Sequence, residues 1–126
     1  MITEDYLMRQ IEIIARTLAK LLFDKSTPEY VIPDYRQLSE ADIFYNRLLK
    51  LIDEKQLNEA ENLLFEQIEA ELGENYESRV ILEIAIDFYS KLNDLDDDIL
   101  ESCGFEREEI DEGIREIAEL YGISVI

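Results

Sequence analysis

Residues 80–89 read Val-Ile-Leu-Glu-Ile-Ala-Ile-Asp-Phe-Tyr, and eight of these ten residues are apolar or aromatic. In a helix, the polar side chains of this region would form one narrow stripe, because they are spaced by three or four residues. The stripe consists of Arg79, Glu83, Asp87 and Ser90. A helix that is apolar on the rest of its circumference is buried on most sides. The remainder of the chain must therefore cover this segment.

The same stretch also alternates as a strand would, and it is rich in β-branched residues. A helix is favoured because residues 74–103 contain no Gly or Pro, which is long for a strand. The apolar pattern also continues at helical spacing through Leu92 and Leu95, and no other segment alternates well enough to pair with a strand. We therefore predict a buried helix over residues 74–93.

A chain of 126 residues is long enough for one domain with one core, so we expect residues 1–126 to fold as a single unit. Its apolar runs are far shorter than a membrane span, and its first residues are acidic, unlike a signal peptide. The single cysteine, Cys103, excludes an internal disulfide and a paired-cysteine metal site. We expect a cytoplasmic protein with no membrane association.

The charge is strongly acidic and unevenly distributed. The chain has 31 acidic and 12 basic residues, a net charge of −19. Residues 1–50 carry eight acids and seven bases, so residues 51–126 hold almost all of the excess. Direct nucleic-acid binding is not expected, because phosphate contacts need a basic surface. The acidity favours either solubility alone or a basic partner, which includes the nearly neutral half of a second copy.

The first helix is predicted over residues 3–24, with Thr3 as its cap. Its core stripe, spaced by three and four, consists of Leu7, Ile11, Ile14, Leu18 and Leu21, widened by Met8, Ala15 and Leu22. A basic stripe lies opposite and consists of Arg9, Arg16 and Lys20. Tyr6 and Ile13 lie on the flank and exceed what one core contact requires. Surplus apolar surface of this kind predicts a homodimer through the first helix. The alternative is that the apolar residues 30–35 and the tail at residues 123–126 cover this surface within one chain.

Residues 25–38 break the helical pattern at Pro28 and Pro33. This connection, called the arm below, is long and unusually apolar for a free linker. Two interpretations stay open. The arm packs along the helices as an extended segment, or it is a binding loop that presents Tyr30, Tyr35 and Arg36.

Residues 39–73 are predicted to form a helical hairpin. Ser39 and Asp42 have the spacing of a capping box, Asn58 and Glu61 repeat it, and Gly73 is the expected left-handed stop. The short connection requires the two helices to pack antiparallel. Residues 74–126 then contain the buried helix, an acidic turn, a short helix, and a last helix over 106–121. We expect Gly104 and Gly122 to end the last two helices and the apolar tail to fold back on the core.

The hairpin resembles a tetratricopeptide repeat. The first helix of the hairpin carries the bulky residues Phe44, Leu48 and Leu51 of such a repeat. The second helix carries its small residue, Ala60, and its bulky residue, Leu64. The chain departs from the repeat at Lys55, Gln67 and Leu72. A second repeat with Ala85 and Phe88 is degenerate, because Asp94 stands where a small packing residue belongs. A stable array needs about three repeats, so we predict a repeat-like bundle and not a true array. The predicted fold is all-α, with five to six helices in antiparallel, tetratricopeptide-like hairpins.

The opening Asp5-Tyr6-Leu7-Met8-Arg9-Gln10-Ile11-Glu12 is similar to the start of an uncharacterised family of small helical proteins from Gram-positive bacteria. The similarity covers the first helix well and the rest of the chain loosely. It implies a bacterial, cytoplasmic, tetratricopeptide-like protein and carries no activity, cofactor or catalytic residue.

Several kinds of catalytic and metal site are excluded by composition. The chain has no histidine, which removes histidine-based nucleophilic catalysis, helical di-iron sites and ordinary zinc sites. Asp94, Asp96 and Asp98 have the spacing of a calcium loop, but Ile99 and Phe105 occupy the positions that need Gly and a bidentate Glu. We therefore expect no metal site, no cofactor and no enzymatic activity.

These observations favour a non-enzymatic protein-interaction module or small adaptor that binds a protein or peptide. The alternative is an acidic inhibitor or mimic that binds a basic partner protein, a class that includes nucleic-acid-binding proteins. The predicted interaction surface consists of Tyr6, Arg9, Ile13, Arg16, Lys20, Tyr30, Tyr35 and Arg36.

Overall fold

A computed structural model describes residues 4–34, 37–74 and 79–124. Over these residues the chain forms six helices and no strand, which confirms the predicted all-α class. The helices are α1 (Glu4–Phe23), α2 (Glu40–Asp53), α3 (Leu57–Glu74), α4 (Val80–Asn93), α5 (Asp97–Ser102) and α6 (Arg107–Leu120). None of the helices in these ranges combines the length and apolarity that a bilayer crossing requires.

Helix α4 is the centre of the bundle, as its sequence predicts. Ten of its fourteen residues are buried, and it packs against α1, α2, α3 and α6. Helices α1 and α6 also contact each other, and α2 and α3 form the predicted hairpin. The strand interpretation of residues 80–89 is excluded.

The apolar face of α1 is rotated from the predicted stripe at its C-terminal end. Leu7, Ile11, Ile14 and Leu18 are buried as expected, but Leu21 is 75% exposed. Ala15 and Ala19 are both buried, and they move the centre of the packed face away from Leu21. The exposed side of α1 therefore carries an apolar stripe of Tyr6, Ile13 and Leu21.

The predicted helix ends are partly correct. Ser39 and Asp42 form a reciprocal capping box, and Gly104 and Gly122 have φ values of +66° and +78°. The prediction for Gly73 was wrong, because α3 continues through it to Glu74 and α4 begins only at Val80. The capping role of Asn58 and Glu61 was also wrong, since α3 begins at Leu57 and Glu61 accepts a hydrogen bond from Tyr89. The Thr3 cap lies outside the described residues.

A buried arginine that sequence reasoning overlooked joins four helix ends. Arg107, at the start of α6, is 1% exposed. Its guanidinium donates five hydrogen bonds of 2.7–3.0 Å. Two go to the carboxylates of Glu4 on α1 and Asp97 on α5. The other three go to the backbone and side-chain oxygens of Asn93, at the end of α4, and to the backbone oxygen of Leu95. Asp97 belongs to the acidic run that resembles a calcium loop, and its partner is this arginine.

Candidate functional site

The predicted surface residues of α1 are all exposed, but local acids partly neutralise the basic ones. Tyr6 and Ile13 are 52% and 56% exposed. Arg16 forms an ion pair with Glu12 at 2.8 Å, and Lys20 forms one with Asp24 at 2.7 Å. Arg9 is also exposed. This face of α1 is thus an apolar stripe flanked by a largely compensated basic stripe.

The arm does not present Tyr30 to solvent. Tyr30 is 7% exposed, and its ring packs at 5.0 Å from the ring of Tyr45 on α2. Its hydroxyl donates to Asp42 at 2.6 Å. Tyr30 is therefore part of the core and not of an exposed surface, which favours the packed-arm interpretation at this residue. Tyr35 and Arg36 lie outside the described residues.

Asp87 is the residue that holds the arm on α4. Its Oδ2 atom accepts hydrogen bonds from the Tyr30 backbone N–H at 2.8 Å, the Tyr45 hydroxyl at 3.0 Å and Lys91 Nζ at 3.2 Å. Asp87 is 1% exposed, so the predicted polar stripe of α4 is not solvated at this position. Burial raises the pKa of Asp87, while the Tyr30 N–H and Lys91 oppose that shift. Burial and the neighbouring Asp87 carboxylate also raise the pKa of Tyr45.

Helices α3 and α6 border a shallow acidic groove that is wide open to solvent. Its lining residues are Glu61, Asn62, Phe65, Glu66, Glu69 and Glu116. Buried Tyr89 of α4 donates its hydroxyl to Glu61 at 2.6 Å. In the described ranges, no group of three or more Cys, Asp or Glu side chains is arranged to hold a metal ion. The acids of the groove form a charged surface.

Two glutamates of α6 repel the carboxylate of Glu61. Burial raises the pKa of Glu61, and the negative charges of Glu109 and Glu116 raise it further, while the Tyr89 hydroxyl acts in the opposite direction. Sequence reasoning located the excess acid in residues 51–126 but missed the groove. Which residues of α3 and α6 line one groove depends on how both helices pack around α4. The sequence shows only that both helices are rich in glutamate.

Comparison with known proteins assigns the chain to a family but supplies no activity. The chain belongs to DUF6483, a family of unknown function, which it matches over residues 1–122. This confirms the expectation that it belongs to an uncharacterised family. Neither the curated proteins nor the solved structures gave a match.

Proposed function

We propose that this member of DUF6483 is a non-enzymatic protein-interaction module whose α3–α6 groove binds a basic segment of a partner protein. The observation that supports this most is the convergence of four glutamates on the groove: Glu61, Glu66, Glu69 and Glu116. Burial is the main cause that raises the pKa of Glu61, and the negative charge of Glu116 adds to that shift. A cationic side chain bound there would relieve the repulsion. Phe65 offers an aromatic surface between the glutamates, on which a cation or a methylene chain can lie.

The basic residues of these two helices do not neutralise the groove. Helix α3 contains six glutamates and no lysine or arginine. Helix α6 has two arginines, of which Arg107 is buried and Arg115 is bound to Asp111 at 3.2 Å. An external basic segment is therefore the electrostatic complement of this surface.

A second candidate is the acidic inhibitor or mimic that binds a basic partner protein, such as one that itself binds nucleic acid. The net charge of −19, concentrated in residues 51–126, favours it. The two candidates differ in whether the bound partner protein can still bind its other ligands. An adaptor leaves the partner's own binding surface free, whereas a mimic competes with DNA or RNA for it.

We also propose a tetratricopeptide-like arrangement for the α2–α3 hairpin and a cytoplasmic location in a Gram-positive bacterium. The buried Leu48, Ala60 and Leu64 are consistent with the packing of such a repeat. The location rests on the resemblance of residues 5–12 and on the lone Cys103. Helix α1 packs on both α4 and α6, so the bundle is closed rather than an open array.

The proposed groove is tested with a fluorescent amphipathic peptide of lysine and leucine at about 150 mM salt, where unspecific charge effects are screened. The double variant Glu61→Gln/Glu116→Gln should weaken binding about tenfold, equivalent to about 1.4 kcal/mol. The control Glu59→Gln/Glu112→Gln removes the same charge from exposed positions of the same helices. Equal losses in both variants, or no binding by the wild type, would contradict the proposal.

Stability should rise as the pH falls from about 7.5 to about 5, partly through Glu61. Because its pKa is raised above the ordinary value of 4.5, the folded state holds this proton more tightly than the unfolded state does. The stabilising contribution is complete below pH 4.5 and is lost as the pH rises through the folded pKa. Urea denaturation at both pH values gives the free energy of unfolding at each. The change in this free energy between the two pH values should be smaller for Glu61→Gln than for the wild type. Glu59→Gln is the control, and an unchanged difference in Glu61→Gln would refute the assignment.

Self-association through α1 remains a proposal. Tyr6, Ile13 and Leu21 are exposed along one stripe, and an apolar hollow of about 150 Å³ lies beside Ile13, Leu21 and Ile123. Helix α1 carries three acids and three bases, so two copies can meet there while their acidic regions stay apart. The rival explanation is coverage within one chain by the C-terminal tail, of which Val125 and Ile126 lie outside the described residues.

Sedimentation equilibrium at tens of micromolar protein tests the dimer. We expect a wild-type dimer and a monomeric Ile13→Glu variant, because a charge in an apolar interface loses its hydration. Ile43→Glu is the matched control, since Ile43 is 57% exposed on α2. A monomeric wild type, or a dimer that survives Ile13→Glu, would exclude this face.

A further inference from the structure

We propose that two copies of the chain pair through α1 in antiparallel orientation, with Tyr6 of each copy seated in an apolar hollow of the other. This pairing rests on the self-association proposed for α1 and specifies its orientation and contacts. The hollow lies along the C-terminal half of α1, between Ile13, Leu18 and Leu21 on the helix and Ile123 after α6. Tyr6 lies at the opposite end of the same exposed stripe.

The two ends of this stripe have complementary shapes. At the N-terminal end, Tyr6 is 52% exposed and presents an aromatic ring. At the C-terminal end, the hollow has a volume of about 150 Å³ and is lined mainly by aliphatic side chains. A two-fold symmetric pair buries the same surface of both copies. A parallel pair would place Tyr6 against Tyr6 and hollow against hollow, whereas an antiparallel pair brings each Tyr6 to a hollow.

The spacing of the exposed residues fits an antiparallel pair. Ile13 lies seven residues after Tyr6 and eight residues before Leu21. At about 1.5 Å per residue, Tyr6 and Leu21 are nearly equidistant from Ile13, at about 10 and 12 Å along the helix axis. A two-fold axis beside Ile13 therefore places Tyr6 of one copy next to Leu21 of the second copy. The two Ile13 side chains then pack together at the centre.

The charges of α1 favour the same orientation. Its first turn carries Glu4 and Asp5. Its last turn carries Lys20, whose charge is balanced by Asp24 at 2.7 Å. A parallel pair would bring the two acidic first turns together, whereas an antiparallel pair sets each of them beside a compensated last turn. The antiparallel pair also opposes the two helix dipoles, which is the favourable arrangement.

The contact is small, so the dimer should be weak. A standard stable interface buries about 800 Å² on each partner, more than one stripe with three large exposed side chains on α1 supplies. We therefore expect a Kd of micromolar and not nanomolar order. Covalent capture is the suitable test, because it records a weak contact.

Disulfide capture in a Cys103→Ser background, which removes the native free thiol, tests the orientation. A disulfide requires Cα atoms within about 7 Å of each other. A mixture of Tyr6→Cys chains and Leu21→Cys chains should oxidise mainly to mixed dimers. Tyr6→Cys chains alone should give at least about tenfold less dimer, because the two thiols would lie about 20 Å apart along the helix axis. Efficient capture of Tyr6→Cys chains alone would indicate a parallel pair and overturn the proposal.

Two variants at residue 6 test whether the tyrosine ring fills the hollow. In sedimentation equilibrium, Tyr6→Ala should raise the Kd about tenfold, and Tyr6→Phe less than about threefold, since an apolar hollow requires the ring and not the hydroxyl. Unchanged association of Tyr6→Ala, or an equal loss in Tyr6→Phe, would refute the contact. A wild-type dimer without the mixed disulfide would overturn this arrangement alone. A monomeric wild type would overturn the self-association itself.

Discussion

Arg107→Met should lower the free energy of unfolding by about 3 kcal/mol, near the lower end of the range for a broken buried ion pair. Methionine has a similar length but supplies none of the five hydrogen bonds that the guanidinium donates. The oxygens of Asn93, which is 4% exposed, then lose their donor in the interior. Glu4 and Asp97 are 47% and 63% exposed, so water replaces the arginine there and limits the loss.

Arg115→Met is the matched control on the same helix. Arg115 is 36% exposed and pairs with Asp111 one turn away, an interaction worth less than about 0.5 kcal/mol. Urea denaturation of the two variants should therefore separate them by more than 2 kcal/mol, since about 3 kcal/mol is expected for one and about 0.5 for the other. Equal stabilities would mean that Arg107 does not join the helix ends.

Gly113→Ala should destabilise the protein by about 2 kcal/mol, although alanine is the better helix former by about 1 kcal/mol. A Cβ atom at residue 113 would lie 2.5 Å from the Tyr89 hydroxyl and 2.6 Å from its ring. The ring cannot easily move, because Tyr89 is fully buried, packs edge-on against Phe88 and donates to Glu61. Overpacking of this kind costs about 1–3 kcal/mol, and a lost hydrogen bond adds about 1.

Gly73→Ala makes the same chemical change in α3 and should have the opposite sign. Nothing lies within 4 Å of a Cβ atom at residue 73, and its backbone is helical. We expect a gain of up to about 1 kcal/mol from helix propensity alone. Thermal and urea denaturation of both variants measure the difference. If Gly113→Ala proved more stable than the wild type, the Tyr89 side chain would be able to move away from the added Cβ atom, and this prediction would be wrong.

Local features of the chain were predictable from the sequence. The burial of α4 follows from the three- and four-residue spacing of its polar side chains. The Ser39–Asp42 cap and the left-handed stops at Gly104 and Gly122 follow from backbone groups only a few residues apart. Such interactions form within a single helix turn, so residue type and spacing are sufficient to predict them.

The candidate sites were not predictable in the same way, because they join distant segments. Asp87 reads as a solvated residue until the arm, 57 residues earlier, brings the Tyr30 N–H to it. From the sequence alone, Arg107 would be interpreted as a surface charge within an acidic run. In the folded chain it binds Glu4, which lies 103 residues earlier. Sequence by itself determined which helices form and which of them is most buried. Tertiary packing alone decided which charges are buried and which carboxylates share a groove, since both depend on the neighbours that each helix face acquires.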